Sequence, residues 1–220
     1  MELEFSVAVL LAGSFLAAVC NAAFSAGGAL IILAVTSTVL PVSAVVPIHS
    51  ALLLGSTSMR AVLFREHSQW PIVWPFLLGS AFGAMLGGRV FVTLADDVVA
   101  AAIALLMLVA IWLPQIRWRP KIRQPWLLVG FAHTLLSTMF AYGAIFHGVI
   151  LHTRLDRRQI LGTMGGCLTG MGIFKILAYV LNGFDYQPYL AVIAVAVVLS
   201  FLGTWLGRKL VDRLSERMFR

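Results

Sequence analysis

Seven long apolar stretches, near residues 5–35, 39–64, 71–95, 98–114, 126–152, 160–182 and 187–207, leave this chain almost no soluble fold to adopt. Most reach the roughly 20 residues that a helix needs to cross a bilayer. Of 220 residues, 60% are hydrophobic and only 11% charged. The expectation is an all-α integral membrane protein.

The N-terminus reads "MELEFS", with Glu2 and Glu4 where a secretory leader would carry basic residues, so no cleavage is expected. The net charge of +7 is read as an orientation signal of basic loops and not as a nucleic-acid footprint. Cys20 and Cys167 both fall inside apolar stretches, as small buried hydrophobes do. No phosphate-binding loop, zinc spacing or nucleophile–base pair occurs, so neither an enzyme nor a cofactor is expected.

Sliding the chain along itself aligns "LPVSAVVPIHSALLLGSTSMRAVLF" (40–64) with "LDRRQILGTMGGCLTGMGIFKILAYV" (155–180) at an offset of 115. Pro47 then falls on Gly162, His49 on Met164, and Arg60 on Lys175. Further on, "LGGR" (86–89) falls on "WLGR" (205–208). The chain therefore divides into a first repeat (1–96), a linking helix and basic loop (97–125), and a second repeat with a basic tail (126–220).

If all seven stretches crossed the membrane, the basic loops would split between its two faces, against the positive-inside rule. Letting the first and fifth stretches enter and return as half-helices leaves five crossings. Fourteen of the 16 Lys and Arg then lie at or toward one face, with Arg89 and Lys175 toward the other beside Glu2, Glu4, Asp96, Asp97 and Asp185. The prediction is an inverted repeat with an outside N-terminus and a cytoplasmic C-terminus.

The residues of those two stretches suit a break. The first contains "CNAAFSAGGA" (20–29) and the fifth "LLSTMFAYGA" (135–144), rich in small residues and Gly. Non-helical backbone at that depth must be buried in protein or line a watery cavity. The other reading is close packing between ordinary spanning helices.

This layout resembles the sulfite exporter TauE/SafE family, over nearly the whole chain. Halves in that family begin with a helix carrying a Gly-rich "GxGGG" run and go on to an "AxGTS" element. Here the Gly-rich counterparts are "SAGGA" (25–29) and "AYGAI" (141–145), and the later elements are "AVVPIHS" (44–50) and "QILGTMG" (159–165). Of the later elements only Gly162 and Thr163 keep the family letters, which marks a divergent member. The resemblance implies an inner-membrane transporter, an exporter of sulfite, an organosulfonate or a related organic acid.

Broken helices turn free amide N–H groups and positive dipole ends into the membrane, chemistry that holds a small anion. The expected midplane site is Asn21, Ser25, Gly27, Gly28, Ser137, Thr138, Tyr142 and Gly143. His49, Ser50, Gly162 and Thr163 would add hydrogen bonds from neighbouring helices. Lys175, with no acidic residue within nine positions, has two readings. It snorkels to the interface, or it and Arg60 place one cation on each side of the midplane to draw in an anion.

The expected partners are thus a small-anion substrate and the lipid bilayer. The alternative function is a membrane-embedded haem- or metal-binding redox protein using His49, His133, His147 and His152. Glycines 79, 83 and 87, and 162, 166 and 170, read as packing stripes. The stretch 117–125 reads as a cytoplasmic loop and 208–220 as a basic amphipathic end.

Overall fold

A computed structural model describes residues 2–24, 27–112 and 125–211. Ser25, the basic loop 117–123 and the tail beyond 211 lie outside the described residues. Nine α-helices occur among the described residues: α1 (Glu2–Phe24), α2 (Gly28–Val39), α3 (Val42–Leu63), α4 (Trp70–Phe91), α5 (Asp96–Trp112), α6 (Pro125–Phe140), α7 (Ala144–Ile150), α8 (Arg157–Leu181) and α9 (Leu190–Val211).

Local chemistry sets the helix ends. Pro41 precedes α3, and Pro71 sits in the first turn of α4, where its missing N–H costs nothing. Asp96 and Asp97 open α5 at its positive dipole end. A capping box opens α8: Asp156 accepts from the Gln159 N–H at 2.9 Å, and the Gln159 side chain accepts from the Asp156 N–H at 3.1 Å.

Among the described residues five helices are long and apolar enough to cross a membrane: α1, α3, α4, α8 and α9. Their exposed residues include Leu16, Trp74, Phe82, Leu181 and Val198, a surface suited to lipid and not to water. The five differ from those expected. In the first stretch the helix runs 23 residues before it stops, long enough by itself, whereas α5 in the fourth stretch has 17 described residues.

The helices α3 and α8 pack against each other at the centre, and α4 rests on α6 as α1 rests on α9. Secondary contacts join α4 to α8 and α3 to α9. The α4–α6 seam is backbone on backbone. A side chain at Gly79 would strike the Leu127 carbonyl, one at Gly83 the Phe131 carbonyl at 2.5 Å, and one at Gly87 the Thr138 Cβ at 2.9 Å. The stripe 79, 83, 87 is therefore a packing feature. In the second stripe, Gly162 abuts the Phe64 carbonyl while Gly166 and Gly170 face the side chains of Val73 and Leu77.

Charge is divided between the two ends of the bundle. At one end the turn after α3 meets the start of α8, through Gln69 N–H donating to Thr163 Oγ1 at 2.9 Å. The end of α9 joins them, with Arg208 over the Phe64 ring at 5.7 Å. Arg65, Arg158 and Lys209 stand exposed here. At the other end Gly88 faces Asn182, and Asp96 shares a surface hollow with Asn182 and Gly183.

Candidate functional site

Two interruptions of helix build the site. After α1 the chain doubles back, so that α2 runs antiparallel along it: Gly13 faces Val35, and Gly28 N–H donates to Asn21 Oδ1 at 3.1 Å. Only glycine fits at position 28, because a Cβ there would collide with the Ala17 carbonyl. After α6 the chain doubles back again into α7, with Phe146 N–H donating to His133 Nδ1 at 3.3 Å. Ala141 makes this turn with φ at 56°, a left-handed conformation unusual outside glycine.

The two tips meet. Asn21 and Gly27 of the first hairpin, with Ala141, Tyr142 and Gly143 of the second, line one cavity of about 160 Å³. A second cavity of about 50 Å³ shares Ala29, Ala141, Gly143 and His147 with it and reaches inward between α3 and α8. By the same measure a water needs about 10–15 Å³, so the inner cavity has room for a few waters or one small anion.

Each hairpin is held by a buried cation from the middle helix of its half. Arg60 of α3, 1% exposed, donates from Nη1 to the Asn21 carbonyl at 3.2 Å. Lys175 of α8, 2% exposed, donates to the Ser137 carbonyl at 2.8 Å and to Ser137 Oγ at 2.9 Å. Both carbonyls lie in the last turn of their helices, where α1 ends at Phe24 and α6 at Phe140. A helix C-terminus carries roughly half a negative charge and orphan carbonyls, so a cation there satisfies both. Lys175 therefore does not snorkel.

The two cations differ in what else they face. Lys175 lines the inner cavity and Arg60 lines neither. Around Lys175 stand His49 and Ser50 of α3, His133 and Ser137 of α6, and His147 of α7, and no Asp or Glu lines this wall. His49 Nε2 donates to the Ala29 carbonyl at 3.1 Å, since a carbonyl can only accept. His147 Nδ1 likewise donates to the Gly143 carbonyl at 2.8 Å.

Of the residues expected at the site, Asn21, Gly27, His49, Ser50, Ser137, Tyr142, Gly143 and Lys175 line the joined cavities. Gly28 is the first residue of α2, packed behind the wall. Thr138 is buried against Gly87, with its carbonyl accepting from Tyr179 Oη at 2.6 Å. Gly162 and Thr163 stand away from the cavities, at the basic end of α8 against the turn 64–69. Sequence reasoning named His133 and His147 only as ligands of the alternative haem or metal function and did not single out Thr57, because the three come from three helices and no spacing links them.

The histidine ring nitrogens that face neighbours are spent on backbone hydrogen bonds. Among the described residues no group of three or more His, Cys, Asp or Glu is placed to hold a metal ion.

A bundle of apolar helices whose cavities, one with a buried cation on its wall, lie at two helix interruptions is an arrangement that membrane transporters use. The chain belongs to the sulfite exporter TauE/SafE family, whose model matches residues 10–220. Comparison with curated proteins and with solved structures gave no match.

Proposed function

We propose that this protein carries a small anion across the cell membrane, binding it in the joined cavities where the two hairpin tips meet. Family membership points to sulfite, an organosulfonate or a related organic acid as substrate and to export as the direction. The observation that carries the reading is Lys175, a cation buried on a cavity wall that holds no carboxylate. A buried charge is costly unless paired, and a bound anion would complete what the Ser137 oxygens begin.

The mechanism proposed is alternating access between two inverted halves, 1–96 and 126–220, with residues 97–125 linking them. Three observations support it. The main helix pairings have counterparts when the halves are exchanged, α4 on α6 matching α1 on α9 and α4 on α8 matching α3 on α9. The hairpins enter from opposite ends of the bundle, and each is capped by a cation from the matching helix. The basic end, with Arg65, Arg158, Arg208 and Lys209, is assigned to the cytoplasm, which puts the N-terminus outside.

Thermal stabilisation of the purified protein by sulfite, thiosulfate, sulfonates and short carboxylates tests the substrate class, since a ligand of the folded state raises its melting temperature. At least one anion is expected to stabilise the wild type and to lose its effect in Lys175→Gln. Stabilisation by none of them would sink the reading. Accessibility tagging of the loops tests the topology, and a cytoplasmic N-terminus would overturn the orientation.

A further inference from the structure

Resting on the anion site just proposed, we infer that the ligand is an oxyanion that still carries one hydrogen, and that His49 Nδ1 is the acceptor for it. His49 is 1% exposed and stands on the inner cavity wall. Its Nε2–H is committed to the Ala29 carbonyl, which leaves Nδ1 as a bare acceptor. That nitrogen is buried and has no hydrogen-bond partner. An unsatisfied buried acceptor costs free energy, so its retention asks for a donor brought by something else.

The rest of the wall sorts into donors and acceptors by the same accounting. Ser50 Oγ spends its hydrogen on the Val46 carbonyl at 2.8 Å, and Thr57 Oγ1 spends its own on the Leu53 or Leu54 carbonyl. Both oxygens are left as acceptors on the α3 side. Opposite them, Lys175 has three N–H donors and uses two on Ser137. His133 Nδ1 accepts from Phe146, so its neutral ring carries the hydrogen on Nε2.

A ligand without hydrogen satisfies the donors and leaves His49 Nδ1 unpaired. A ligand with oxygens and one O–H satisfies both. The charged and titratable groups around His49 are Lys175 and Tyr179 from α8, His133 from α6, His147 from α7 and Tyr186 from the turn before α9. None is a carboxylate that would supply a competing acceptor for the ligand's proton.

Two probes separate a proton on the ligand from a proton on the protein. Sulfite loses its second proton near neutral pH, whereas methanesulfonate is a monoanion of similar size with no hydrogen to give. Binding of each to the detergent-purified full chain is measured calorimetrically from about pH 6 to about pH 9. Sulfite affinity is expected to follow its singly protonated form, falling about tenfold per pH unit once that form is the minority. Methanesulfonate affinity is expected to stay flat.

Near the acid end of the range sulfite should bind about tenfold more tightly than methanesulfonate, and His49→Leu should bring that ratio close to one. Should His49→Leu fold poorly, His49→Gln keeps a donor for the Ala29 carbonyl, and the wild-type pH series decides by itself. Sulfite affinity that is flat or rises with pH, or a methanesulfonate slope equal to that of sulfite, would overturn the inference and leave the anion site standing. Binding of neither probe by folded protein at any pH would remove the site itself.

Discussion

The two hairpin tips perform the same reversal with different parts. At the first, glycine is compulsory: Gly28 lies against the Ala17 carbonyl, Asn21 bridges the gap with its side chain, and Arg60 seals the helix end away from any cavity. At the second, the turn is made by Ala141 in a left-handed conformation, a Cβ at Gly143 would meet only His133 Cε1 at 3.9 Å, and Lys175 opens onto the cavity. At Gly28 the first tip is packed against backbone, whereas at Gly143 the second faces open cavity. The difference separates a position that holds the fold from a position that can hold a ligand.

Leucine substitution should break this comparison most visibly. Gly28→Leu forces a branched side chain into backbone, and overpacking of that kind costs about 3 kcal/mol or more. The expected result is loss of the folded peak in size-exclusion chromatography, so transport by this variant reports on folding. Gly143→Leu projects into the cavity instead. It should keep the chromatographic profile and abolish anion uptake in proteoliposomes; normal uptake would remove position 143 from the pathway.

The cations come next in size. Methionine at position 60 leaves the Asn21 carbonyl without its donor, and at position 175 leaves Ser137 without its own. Either loss should cost about 1–3 kcal/mol, read as a lower melting temperature. Only Lys175→Met should also weaken binding of the stabilising anion, by at least about tenfold or 1.4 kcal/mol. Equal binding losses in the two variants would mean that both tips serve the ligand alike.

Much of this is legible in the sequence. The ends of α1 and α6 coincide with small residues and Gly inside otherwise apolar stretches, and Arg60 and Lys175, set against each other by an offset of 115, are the cations that cap those two helix ends. The length of α1 was not legible: the expected half-helix is a 23-residue helix, because nothing between Glu2 and Phe24 interrupts it. That His49, His133 and His147 stand on one wall with Lys175 was hidden for a different reason. Residues from three helices become neighbours only through packing, and sequence spacing reports contacts within a helix but not across a bundle. Gly162 and Thr163 matched family letters, and the structure places them at the basic end of α8, where Thr163 accepts from the turn at Gln69.

The smallest expected effect has the clearest sign. Ala141 holds φ at 56°, and its N–H donates to the Ser137 carbonyl at 3.0 Å, the same oxygen that Lys175 caps. This is the helix-ending left-handed turn that glycine normally makes, and a Cβ in it costs about 1–2 kcal/mol. Glycine removes that strain but gives the unfolded chain more freedom, worth about 0.4–1 kcal/mol against folding. Ala141→Gly should therefore stabilise the protein by roughly 0.5–1 kcal/mol, seen as a melting temperature raised by a few degrees. The matching change at the first tip runs the other way. Gly27 holds φ at 91°, so Gly27→Ala adds the strain that Ala141→Gly removes, and should lower the melting temperature even though open space surrounds it. If Ala141→Gly destabilises instead, the alanine methyl on the cavity wall contributes more by packing than its backbone strain costs, and the second tip is less open than its geometry indicates.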